Sequence, residues 1–116
     1  MFKKIAALFR GKPALVTGAG KLEEGQAKVV TFGDVLAGNA IQVMFTRVNG
    51  DLRAMDAICP HEGILMNDGP LEDQKVVCPM HLYAFDTVTG LEKTGQCKKA
   101  RIFKVVENGN DADIWL

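Results

Sequence analysis

The chain predicts an all-β domain of small antiparallel sheets, arranged as a sandwich or partial barrel, and three observations lead there. Its β-branched and aromatic runs are short, about three to nine residues each, and sit between Gly, Pro, Asn and Asp. Two tight-turn signals, Asn49-Gly50 and Asn108-Gly109-Asn110, each separate a pair of such runs. Helical periodicity occurs in one place only, at the N-terminus.

There, Phe2, Ile5, Ala6 and Phe9 recur at i, i+3, i+4 and i+7, so a short amphipathic helix is expected before Gly11 and Pro13 stop it. Two turns bury little, and a terminal helix packed on the body is the expected role, ahead of a membrane-surface element. Gly18, Gly20 and Gly25 punctuate a loop. Its GAGK is no phosphate loop, because a Walker sequence needs glycine at Leu15 and a hydroxyl at Leu22. A dinucleotide fingerprint fails at Glu23. Strands are then expected over 28–32, 40–48, 52–58, 75–78, 83–86, 101–107 and 112–116. At 116 residues there is room for one domain with a core and not for two. Residues 1–27 read as a helix and loop extension, and 28–116 as the domain.

Net charge is zero, yet the charges are segregated. Lys3, Lys4, Arg10 and Lys12 fall within the first twelve residues, which hold no acid. Between 54 and 92, seven acids face Lys75 alone, and 93–104 is again purely basic. Such blocks bear on partners rather than on fold, and the middle one favours a basic partner. No nucleic-acid partner is expected. No run approaches the ~18 apolar residues of a membrane span. The apolar stretch 5–9 is shorter than a secretory core, so a cytoplasmic protein is expected. Three cysteines in such a chain speak for metal binding or catalysis rather than a disulfide framework.

Those cysteines include the chemistry. Cys59-Pro60-His61 and Cys78-Pro79-Met80-His81 hold both histidines of the chain, each within three residues of a thiol. Any one of the four residues has an ordinary structural reading, since free cysteine is often a small buried hydrophobe. Four together in matched pairs do not. Two thiolates and two imidazoles suit a tetrahedral zinc site or an iron–sulfur centre in which two histidines replace two cysteines. Mixed zinc sites usually pair cysteine with cysteine and histidine with histidine. Here each segment supplies one of each, which suits a binuclear cluster whose two irons take different donors.

The pattern C-x-H, a spacer of sixteen residues, then C-x-x-H resembles that of the Rieske 2Fe–2S proteins. CPHEGILMNDG looks like their first cluster loop and CPMHLYAFDTVTG like their second, and the likeness runs over roughly 28–116. The resemblance implies small antiparallel sheets with the two loops clasping one 2Fe–2S cluster at a tip. By it, Cys59 and Cys78 bind the ferric iron, while His61 and His81 bind the outer, reducible iron. High-potential members carry an extra cysteine in each loop. Ile64 and Met80 stand at those positions, so the inter-loop disulfide is excluded. Phe85 replaces a tyrosine whose hydroxyl would stabilise the reduced cluster. A potential near the low end, roughly −150 mV, follows. Leu82 stands where glycine is usual, and 95–97 replaces a proline-containing third loop; Cys97 reads as a free thiol.

With no room for a flavin domain and no histidine left for a mononuclear iron, the chain is expected to carry electrons and not to be an enzyme. The resemblance implies a monomeric Rieske-type ferredoxin passing single electrons from a flavin-dependent reductase to a terminal oxygenase. Glu62, Asp68, Glu72 and Asp73 would form an acidic skirt that steers the encounter. The alternatives are a tightly held redox subunit, as in nitrite reductases, and a structural zinc module.

Overall fold

The computed structural model describes residues 12–34, 36–60, 63–66, 69–80, 83–95 and 98–116. The expected N-terminal helix, together with His61, His81, Leu82 and Cys97, lies outside the described residues.

Nine strands carry the fold among the described residues: β1 (Ala14–Val16), β2 (Gln26–Phe32), β3 (Ile41–Val48), β4 (Asp51–Asp56), β5 (Gly69–Pro70), β6 (Lys75–Val77), β7 (Ala84–Asp86), β8 (Ile102–Asn108) and β9 (Asp111–Trp115). Seven of them form one curled antiparallel sheet in the order β1-β9-β8-β4-β3-β2-β5, and β6 pairs with β7 in a separate hairpin. Expected and observed strands agree to within two residues. Two strands were not expected, β1 and the two-residue β5. Segment 12–27 also enters the sheet: Ala14 faces Ile114 and Val16 faces Ala112.

Turn chemistry fixes the register. Asn49 and Gly50 both adopt positive φ, 53° and 82°, the conformation a two-residue hairpin of this hand requires. The Glu24 carboxylate accepts both their amides at 2.8 and 2.7 Å, which locks the β3–β4 turn to the loop before β2.

The sheet separates two cores. Val43 and Phe45 of β3, Ala54 of β4 and Phe103 of β8 point to the inside of the curl, with Ala112 and Ile114 of β9. Met44 and Met55, alternate residues on the same strands, point to the other face. There they meet Val76 and Phe85 of the hairpin, together with Ala57, Cys59, Met66, Cys78 and Ala100. This is why β3 is buried at seven of its eight positions: both its faces are covered. The second core holds the hairpin and the cysteine loops against the back of the sheet.

Candidate metal centre

The first cysteine loop begins where β4 ends. The Asp56 carboxylate accepts the Ile58 amide at 2.9 Å, turning the chain out of the strand. Burial raises the Asp56 carboxyl above its ordinary value, against the lowering pull of the Ile58 amide and of Arg101. The loop then closes on itself. Ile58 bridges Leu65, Cys59 N–H donates to Ile64 O at 2.7 Å, and Gly63 N–H donates to Cys59 O at 2.8 Å. Gly63 sits at φ +69°, where a side chain would be strained.

The second loop caps the β6–β7 hairpin, whose register sets Val76 against Phe85 and Val77 against Ala84. Cys78 N–H donates to Tyr83 O at 2.8 Å. Each cysteine therefore uses its own amide to close its loop on the carbonyl five residues later. The two loops are built alike, as their matched Cys-Pro starts suggest. Both cysteines are fully buried and neither is in a disulfide. Pro60, Gly63, Leu65, Pro79 and Met80 lie on the exposed side of the same loops.

A third segment runs beside β7. Asp86 N–H donates to Leu91 O, Phe85 bridges Glu92, and Lys93 N–H donates to Ala84 O. The Asp86 carboxylate accepts the Val88 and Thr89 amides at 2.7 and 2.9 Å, and the Thr89 bond leads in holding its carboxyl below the usual range. Glu92 is buried and takes the Thr94 amide at 3.0 Å as well as the Thr94 hydroxyl. Gly90, at φ +77°, lies so close to Ala100 that a Cβ would stand 2.1 Å from its carbonyl oxygen.

The structure thus brings Cys59 and Cys78 into one apolar core, while His61 and His81 lie outside the described residues. Sequence reasoning did not find the roles of Asp56 and Glu92, which lie outside the motifs, nor the Ala100 contact of Gly90, the last residue of the second loop motif. Of the expected acidic skirt, two members are described. Glu72 and Asp73 belong to the tight turn that leads into β6, at the end of that strand remote from Cys78. Glu62 and Asp68 lie outside the described residues.

Buried thiols surrounded by Met44, Met55, Met66 and Phe85 have no water to solvate a thiolate. A soft metal that takes the negative charge is what makes such a donor pair stable as thiolates. The donor set therefore fits iron–sulfur ligation.

Comparison with known proteins agrees. The Rieske [2Fe-2S] domain model matches residues 12–108, and the chain belongs to that family, whose group is a Rieske-type 2Fe–2S cluster. A naphthalene 1,2-dioxygenase system ferredoxin component of Pseudomonas putida is 31% identical, over 54% of this chain and 67% of that protein. Among solved structures, a chain of the complex of reduced oxygenase and oxidized ferredoxin in carbazole 1,9a-dioxygenase superposes with a TM-score of 0.73 at 22% identity, covering 87% of this chain and 99% of that one. A putative NADH-dependent nitrite reductase small subunit from Mycobacterium tuberculosis gives 0.62 at 17% identity, covering 88% and 94%. At these identities the structural likeness is one of fold. No helix among the described residues is long and apolar enough to cross a membrane.

Proposed function

We propose that this chain is an electron carrier of the ferredoxin type, receiving single electrons from a flavin-dependent reductase and delivering them to a terminal oxygenase of the aromatic ring-hydroxylating kind. The observation that carries the reading is the pair of alike loops, each closed by the amide of a buried cysteine. The sequence likeness to a dioxygenase ferredoxin component supports the choice of partner. Cys59 and Cys78 would hold one iron of the cluster, and His61 and His81 the other. Bound there, the cluster supplies reversible one-electron chemistry. The chain's own work is to bury the thiols, exclude water behind them with Met44, Met55 and Phe85, and keep the loops fixed. The exposed Leu65 and Met80 flank the side from which a partner approaches.

The carrier reading includes a monomer working in the cytoplasm at a potential of roughly −150 mV. Its test is direct. The purified chain should be red-brown, contain two irons, and give a Rieske EPR signal on reduction. Cys59→Ser or His81→Ala should abolish that signal, and a zinc-bound colourless protein would overturn the reading. A redox titration that returned a strongly positive potential would remove the ferredoxin assignment.

A second reading, a redox subunit held permanently in a larger enzyme, draws on the similarity of fold to a nitrite reductase small subunit. Deleting residues 1–12 separates the two. A diffusible carrier keeps its electron delivery, and a subunit anchored through that segment leaves its complex.

A further inference from the structure

The GAGK segment has a role that its failed phosphate-loop motif conceals. Residues Ala19–Lys21 form a single 3-10 turn between β1 and β2. The turn is fixed from both sides. Gly20 N–H donates to Asn110 O at 3.0 Å, and Gly18 N–H to the Asp111 carboxylate at 2.9 Å. From the opposite side Arg47 donates to Gly20 O and to Leu22 O, each at 2.9 Å. Gly20 is required by contact, because a Cβ would stand 2.2 Å from Gly109 O.

Between this turn and strands β2 and β3 lies a cavity of about 180 Å³. Ala19, Leu22, Val30 and Phe45 give it apolar walls, and Lys21 and Lys28 stand on its rim. Among the described residues no ion pair engages either lysine. Glu24 is turned to the Asn49 and Gly50 amides, and Glu23 stands in solvent. A dry apolar cavity of about 150 Å³ suffices to hold a benzene ring. A ring-sized apolar pocket with two uncompensated ammonium groups at its mouth selects for an apolar body carrying one negative charge.

We propose that this cavity is a binding site for a small monocyclic aromatic carboxylate, the ring lying against Val30 and Phe45 and the carboxylate between Lys21 and Lys28. The walls are pre-formed: the turn is pinned by four hydrogen bonds before any ligand arrives. The site is separate from the redox chemistry. Its floor belongs to the core inside the curl, whereas both thiols belong to the core on the opposite face of the sheet. The inference therefore stands whether or not the ferredoxin reading does.

Benzoate is the probe, titrated into the full, cluster-loaded chain and followed by amide NMR. Saturable shifts are expected at Gly18, Gly20 and Lys21, with a Kd in the low-millimolar range or tighter. Benzyl alcohol, the same ring without charge, should bind at least about fivefold more weakly. Lys21→Gln with Lys28→Gln should bring benzoate down to the affinity of the alcohol, and Val30→Phe, which fills the floor, should weaken both ligands. The redox potential should be the same with and without benzoate. Shifts that do not saturate, that scatter over the surface, or that are equal for benzoate and benzyl alcohol would overturn the proposal. So would a double lysine variant that binds benzoate as the parent does.

Discussion

The guanidinium of Arg47 holds the Glu107 carboxylate through two hydrogen bonds, 2.7 and 2.8 Å long, between residues sixty positions apart. The same group donates to the carbonyls of Gly20, Leu22 and Gly50. One largely buried side chain thus ties the 3-10 turn, the β3–β4 turn and β8 together. Arg47→Ala leaves three carbonyls and a carboxylate without their donor, and it should cost about 2–4 kcal/mol of folding free energy. Glu107→Gln, which keeps an acceptor, should cost about half that. Urea midpoints followed by fluorescence of Trp115 check both.

The carboxyl shifts give a pH dependence whose sign is fixed. Glu107 lies below its ordinary 4.5, chiefly through the Arg47 hydrogen bond, and Asp86 lies below 3.8, chiefly through the Thr89 amide. Both favour the fold above their unfolded values, and that contribution drains away as pH falls through their folded values. Asp56 runs the other way: burial raises it from 3.8, so its ionised form weighs against the fold at neutral pH. Stability should fall below about pH 4, with a shallower fall in Glu107→Gln. Asp56→Asn, which retains an oxygen for the Ile58 amide, should raise the midpoint at pH 7.

Gly90 has no room for a methyl group. Its φ of +77° and the Ala100 carbonyl, 2.1 Å from a would-be Cβ, both oppose it. Gly90→Ala should destabilise by about 2–4 kcal/mol and speed the bleaching of visible absorption. Gly63→Ala, where nothing among the described residues lies within 4 Å, keeps the backbone strain and should cost about 1 kcal/mol.

Thr46 is almost wholly buried, and its hydroxyl has no partner among the described residues. Thr46→Val removes an unsatisfied polar group at nearly constant volume. A gain of about 1 kcal/mol is expected, read as a higher urea midpoint at unchanged slope.

Phe85 is fully buried in the core that contains both thiols. Phe85→Tyr brings a hydroxyl donor into that core, and hydrogen bonds to the sulfurs raise a cluster's potential. A redox titration should find the variant shifted upward. An unchanged potential would mean that the hydroxyl turns away from the sulfur ligands.

The cysteine–histidine pairs stand out in sequence because few residue types ligate metals and chance does not place them in matched pairs. Asn49-Gly50 was equally legible, since a turn needing two positive φ values leaves few residue choices. Ala14–Val16 was not. Three residues carry too little pattern, and the strand is made by its partner, β9. Arg47 reads as one more exposed cation in a strand, and nothing local announces a carboxylate sixty residues on. The acidic skirt follows from composition along the chain. Strand β6 stands between Glu72 and Asp73 at one end and Cys78 at the other, which composition does not show.

Each cysteine loop is fastened by the main chain of the residue that carries the thiol, Cys59 to Ile64 and Cys78 to Tyr83. A donor held from behind in this way has little freedom to shift when the charge in front of it changes. Gaining or losing an electron at such a site would demand little nuclear rearrangement of the protein. The speed of transfer would then be governed by how closely a partner's redox centre can be brought to the cysteine loops, on whose surface Leu65 and Met80 are exposed.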